Sequence, residues 1–220
     1  MRLCHKVRRD WYGKQDFKIL DLVFDLQIAN RKLRIKIQCM KDHKGMRPQD
    51  IVVLLAITAI NRKGWDRKTL VPISIQNKFL AESLLISSAE ISASLHRSSF
   101  SGLIDISSKK VLMQSLFDFI KFGIKYVFPV QPGPLVRGVP TAHSAEPLKS
   151  QLSFQEEMVW EDADGTVRGQ SIIPLYTSVP SAVKNNILLY ELLALTDSVR
   201  IGGARERELA ITELEKRFFQ

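Results

Sequence analysis

The sequence predicts an α+β fold that is mainly helical, and three observations predict it. Long apolar segments at helical spacing, Ile51 to Ile60 and Val183 to Leu195, are bounded by turn-forming residues. Strand-like stretches, Leu103 to Ile106 and Met158 to Trp160, are short and lie between helices. Between the front and back helices stand Pro129, Pro132, Pro134, Pro140 and Pro147, with Gly133 and Gly138.

The first elements are the least regular. Leu20, Leu22, Phe24, Leu26 and Ile28 alternate as a strand would, and so do Leu33, Ile35 and Ile37, with Asn30-Arg31 as a turn; Ile19, Leu22, Val23 and Leu26 fit a helical stripe equally well. Met40 and Met46 each offer an alternative start, so residues 1–45 are expected to be a basic extension, poorly ordered or preceding the true first residue. From Met46 the pattern becomes clear. Pro48 suits a first helical turn, Ile51 to Ile60 supply a buried helix, and Asn61 to Gly64 end it. After an irregular Trp65 to Ser74, Gln76 to Leu85 predict a short helix with Phe79, Leu80 and Leu84 on one face. Ser87-Ser88-Ala89-Glu90 has the spacing of a reciprocal capping box and starts a helix at Ser88. Its Ile91, Leu95 and Ser98 face inward, leaving Ser88, Ala89, Ser92, Ala93, His96 and Arg97 toward solvent. Gly102 ends this helix, and Leu103 to Ile106 turn at Ser107-Ser108 toward Lys109 and Lys110. Leu112 to Phe122 predict another helix, released by Gly123 into a strand-like Ile124 to Val130.

The proline-rich stretch is expected to be an extended connection, and Phe154 to Ile173 a small hairpin turning at Asp164-Gly165. Pro180-Ser181 open a helix whose residues from Val183 to Leu195 are apolar around most of its circumference, so it is buried in its own fold or in a partner. Gly202-Gly203 stop it, and Ala204 to Phe219 form a last helix supported by charge pairs such as those of Glu206.

Charge narrows the partners. The 220 residues carry 32 Lys and Arg against 23 Asp and Glu, a net of +9 and a pI of about 9.6. Residues 1–50, 51–130 and 131–220 have nets of +7, +5 and −3, so a basic front suits a polyanion and an acidic tail suits protein. From Met46 onward the balance is 20 against 18, so most of the excess belongs to residues 1–45. Ile51 to Ile60 is far shorter than the roughly 18 residues of a membrane span. Cys4 and Cys39 lie outside any metal-ligand spacing, and the expected setting is a reducing cytoplasm.

The segment Leu80-Ala81-Glu82-Ser83-Leu84-Leu85-Ile86-Ser87-Ser88-Ala89-Glu90-Ile91-Ser92-Ala93-Ser94-Leu95, closing with Ser101-Gly102-Leu103-Ile104, sets helix, tight turn, helix and exit strand at fixed offsets. In this it resembles the winged helix-turn-helix regulators of the multiple-antibiotic-resistance regulator type, whose pattern runs L-A-x-x-L-x-[IL]-S, then a helix, then G-L-[IV]. The match is gapless from Leu80 to Ile104. The resemblance implies a winged domain over residues 46–130, then a connection over 131–179 and helices over 180–220 that pair subunits or bind a partner protein. It further implies a transcriptional regulator that reads the major groove of double-stranded DNA with the helix from Ser88 to about Ser99. Ser88, Ala89, Ser92, Ala93, His96 and Arg97 would then meet bases or phosphates, and Lys109 and Lys110 at the wing tip would pair with phosphate or enter a minor groove. A single short helix buries little surface, so two copies on two half-sites, a homodimer, are expected. Tyr126 to His143 and Leu189 to Arg207 resemble the C-terminal part of a bacterial subgroup of these regulators.

Catalysis finds no support in the sequence. His5, His43, His96 and His143 are dispersed, and G-x-S-x-G, the Walker loop and H-E-x-x-H are all missing, so neither metal nor cofactor is expected. Arg200, Arg205 and Arg207 stand among Glu191, Glu206 and Glu208, which favours a salt network over a phosphate site. The competing expectation is a protein-interaction module, antitoxin-like, that uses the winged fold as a docking surface.

Overall fold

A computed structural model describes residues 45–63 and 76–220. The expectations for residues 1–44 and for the Trp65 to Ser74 connection lie outside them. Helix α1 (Pro48–Lys63) is the centre of the front half. Ile51 to Ile57 are 0 to 2% exposed, so this helix is covered on all sides, as its unbroken apolar sequence requires. Asp50 in its first turn accepts the Arg47 amide at 2.8 Å and so caps it. Helix α2 (Asn77–Leu84) buries Leu80 and Leu84, while Phe79 is 42% exposed. Leu85, left-handed at φ 56°, turns the chain into α3 (Ser88–Phe100), whose Ser87 hydroxyl accepts from the Glu90 amide at 3.2 Å. Gly102, at φ 71°, ends α3 and feeds a two-stranded ribbon, β1 (Ile104–Asp105) with β2 (Lys110–Val111), paired antiparallel Ile104 to Val111.

The next segment corrects the sequence reading. Helix α4 (Met113–Asp118) runs through a π-helical turn (Phe119–Gly123) into α5 (Ile124–Val127), where a strand was expected. Leu116, Ile120 and Ile124 recur every four residues and are all at most 1% exposed, and this inward stripe carries the helix past Gly123.

The proline-rich stretch is not an irregular connection throughout. Strand β3 (Leu135–Pro140) lies between Pro134 and its own last residue Pro140, so the residues without amide protons fall at its ends. Strands β4 (Met158–Glu161) and β5 (Val167–Ser171) each pair antiparallel with β3, and they pair parallel with one another at Met158 to Gln170, closing a three-stranded barrel. The Asp164-Gly165 turn exists, with the Gly165 amide on Asp162 O at 3.0 Å, yet it joins strands on opposite edges of β3 and makes no hairpin. The chain crosses where Gly165 lies on Gly138, and a Cβ on Gly165 would overlap the Gly138 backbone.

Pro180-Ser181 open only the short α6 (Val179–Ala182), and the long helix α7 (Ile187–Ile201) begins later, where the Asn186 side chain accepts from the Leu189 amide at 3.2 Å. Leu189 and every residue from Leu192 to Arg200 are buried in α7, which packs on α1, on α8 (Ala204–Phe219) and on the barrel end. Residues 45–220 therefore form one compact unit around a single core. The expected division into 46–130, 131–179 and 180–220 does not describe separate domains. From Leu192 to Arg200 α7 is enclosed by its own chain, so the apolar circumference read from the sequence is spent on its own fold. Helix α8 buries Ala210, Leu214 and Phe218, and its pairs run from Glu213 to Lys216 and Arg217, not from Glu206.

One buried polar cluster locks the barrel to α7. Asp197 accepts from Trp160 Nε1 at 2.6 Å, from Thr141 Oγ1 at 3.1 Å and from Arg200 Nη1 at 2.6 Å. Arg200 also donates to Phe128 O at 3.0 Å and Ile173 O at 3.3 Å. A buried charge pair of this kind is tolerable because every group in it is hydrogen-bonded.

Candidate nucleic-acid interface

The residues singled out in sequence fall on α2, α3 and the ribbon. The turn Leu85 to Ser87 is too short to let α2 and α3 separate, so the outer side of α3 is fixed relative to both α2 and β1–β2. On that side Ser88, Ala89 and His96 are exposed and Ser92 and Ala93 are half-buried. Ile91, Leu95 and Ser98 are buried, as their spacing requires, and Ser94 is buried with them.

Arg97 is the correction. Its side chain is only 12% accessible, and Asp50 on α1 is fully buried beneath it. The guanidinium donates Nη2 to Asp50 Oδ1 at 2.7 Å, Nε to Asp50 Oδ2 at 2.9 Å, and Nη2 to Glu90 Oε1 at 2.6 Å. Glu90 accepts further from Gln49 Nε2 at 2.6 Å and lies 3.5 Å from Arg47. The reciprocal half of the capping box is therefore absent, because Glu90 turns to Arg97 and not back to the Ser87 amide. Hydrogen bonding by Asp50 raises the Arg97 pKa, and the Arg97 hydrogen bond holds the Glu90 carboxyl below its ordinary range. A guanidinium committed to two carboxylates is a strut between α3 and α1.

The ribbon places Lys109 and Lys110 differently. Lys110 is exposed, while Lys109, left-handed at φ 50°, donates Nζ to Asn77 Oδ1 at 2.9 Å at the start of α2. Asp105 shares the ribbon and accepts from Ser108 at 2.6 Å and Ser107 at 2.7 Å, hydrogen bonds that hold its pKa down. The structure thus joins to the expected set residues that sequence reasoning missed: Asn77 with its exposed neighbour Lys78, and Arg47, Gln49 and Asp50 behind Arg97. Small hydroxyl and methyl side chains on α3, flanked by Lys78, Lys109 and Lys110, can approach a groove floor closely and meet phosphates at its rim. Among the described residues, no group of three or more His, Cys, Asp or Glu side chains could hold a metal ion, and no helix is long and apolar enough to cross a membrane. No protein-family model matches the chain, no curated protein matches it and no solved structure matches it.

Proposed function

We propose that the α1 to β2 region is a winged helix-turn-helix, and that the chain is a sequence-specific regulator binding double-stranded DNA as a dimer, with α3 in the major groove. The observation that carries this reading is the outward face of α3: Ser88, Ala89, Ser92, Ala93 and His96 form a low surface beside the ribbon that bears Lys109 and Lys110. Serine hydroxyls donate to or accept from base edges, His96 does the same at the far end, and alanine methyl groups suit thymine. Arg97 acts from behind, holding α3 on α1, so its loss would alter binding only through the fold. Residues 45–220 carry 20 basic and 18 acidic side chains, so the long-range attraction falls to the 12 Lys and Arg of residues 1–44.

Selection from a random duplex pool with the full chain tests this, followed by the salt dependence of binding to the winning site. The reading expects two half-sites about one helical turn apart, and a Lys110→Ala salt slope about 1 smaller than that of the parent. A pool that enriches no common sequence at any salt concentration would end it. The near balance of charge over residues 45–220 favours a second reading, docking of a protein on the same face, and a chain that binds a stoichiometric protein partner but no duplex would select it.

A further inference from the structure

The segment from Met113 to Val127 has two faces. Leu116, Phe117, Ile120 and Ile124 are buried, whereas Phe122 is 64% exposed, Tyr126 79% and Val127 49%. Scaled by that exposure, each ring offers roughly 100–200 Å² of contact, so with Val127 the patch reaches roughly 300–400 Å², the size at which exposed apolar surface marks an interaction site. Two such patches face to face, with the polar side chains at their rims, approach the ~1,000 Å² that a specific interface needs.

Charge identifies the occupant. Asp118 is exposed one turn before Phe122, and Lys125 follows it by nearly one turn; among the described residues neither makes an ion pair. Lys121 lies over the Phe117 and Phe122 rings, 5.8 and 5.1 Å from their centroids, at the edge of the stripe. Two stripes crossing antiparallel at Phe122 would set Asp118 of each copy against Lys125 of the other, twice by symmetry, while a parallel crossing would oppose like charges.

We propose that a second copy of this chain docks on the Phe122–Tyr126 stripe, antiparallel, with reciprocal Asp118 to Lys125 pairs. This gives the dimer of the proposed function a pairing surface in place of α7, and it rests on that reading only for the use of the dimer, since self-association needs no DNA.

Sedimentation analysis of the full chain without DNA tests it. The parent should be dimeric, and Tyr126→Glu should raise the dimer dissociation constant at least ~10-fold with unchanged circular dichroism and melting temperature, since the side chain touches little within its own subunit. Asp118→Lys and Lys125→Asp should each weaken the dimer by about 10-fold, and the double exchange should restore it to within ~3-fold. A parent that stays monomeric at 100-fold the concentrations used for DNA binding, a Tyr126→Glu dimer of undiminished strength, or a double exchange without rescue would each overturn the proposal. Dimerisation through this stripe without selection of any duplex would sink the DNA reading and leave this one standing.

Discussion

Replacing Arg97 by methionine separates a strut from a DNA contact. The substitution keeps an unbranched aliphatic side chain in place of the stem but removes the donors at 2.7 and 2.9 Å to Asp50 and at 2.6 Å to Glu90. Glu90 retains Gln49, and Asp50, fully buried, retains among the described residues only the Arg47 amide at 2.8 Å. Removing one partner of a buried pair costs about 3–5 kcal/mol. With 12% of the Arg97 side chain accessible, the site lies near the surface and the variant can relax to admit water to Asp50, which places the cost near the lower end, about 3 kcal/mol. For a chain of this size each kcal/mol lowers the melting temperature by about 2–4 °C, so calorimetry should find a drop of about 6–12 °C. Asp50→Asn in the Arg97→Met background should recover part of the loss, because an amide is less costly to bury than an unpaired carboxylate. At temperatures well below the transition, the salt slope of duplex binding should be unchanged. A melting shift under about 2 °C, together with a slope smaller by 1, would mean that Arg97 serves the ligand, and would refute the strut.

Further outcomes follow from the same geometry. Gly138→Ala should destabilise the barrel by several kcal/mol, because its Cβ would overlap the Trp160 carbonyl and part β3 from β4; loss of the buried Trp160 signal in near-ultraviolet circular dichroism would report it. Burial pushes the Tyr190 phenol up to about 12, with its hydroxyl donating to Pro140 O at 2.8 Å. The folded state therefore keeps a proton that the unfolded state loses, so stability is full below about pH 10 and falls as pH rises toward 12; Tyr190→Phe should flatten that alkaline limb of the denaturant midpoint. At the acid end Glu90 is held low by the Arg97 hydrogen bond, and Glu213 is held low against the penalty of its burial by Lys216 and Arg217. Their contribution is present above the ordinary glutamate range, near pH 4.3, and disappears as pH falls through the depressed folded values. Glu90→Gln should make the acid limb of the midpoint curve shallower.

Helices α1 and α3 were legible because local rules agree there: Pro48 and Ser87 mark the starts, and the apolar residues of each segment are buried. The outer face of α3 was legible for the same reason. Arg97 was not, since its partner Asp50 lies 47 residues away. A trace of the pairing did exist, as Glu90, Ser94 and Arg97 share one edge of α3 at i, i+4 and i+7, and the small Ser94 in the middle marks that edge as the one pressed on a neighbour. The turn at Asp164-Gly165 was read correctly, but local chemistry says only that the chain reverses and not that β3 lies between the two strands. Strand β3 was hidden because prolines at the ends of a strand look, in sequence, like prolines that break one. The delayed start of α7 turned on Asn186, whose capping bond outweighs the stronger local signal of Pro180.

Tethered cleavage locates the outer face of α3 on DNA without relying on loss of binding. With Cys4 and Cys39 replaced by serine, an iron chelate on Ser92→Cys places a cutting centre on that face, and one on Gln114→Cys, exposed on α4, serves as the control. With α3 in the major groove, strand breaks from position 92 should fall within the groove of each half-site, in two clusters about one helical turn apart, with none from position 114. Breaks from position 114 with none from position 92, on a duplex that the chain demonstrably binds, would contradict that placement of α3.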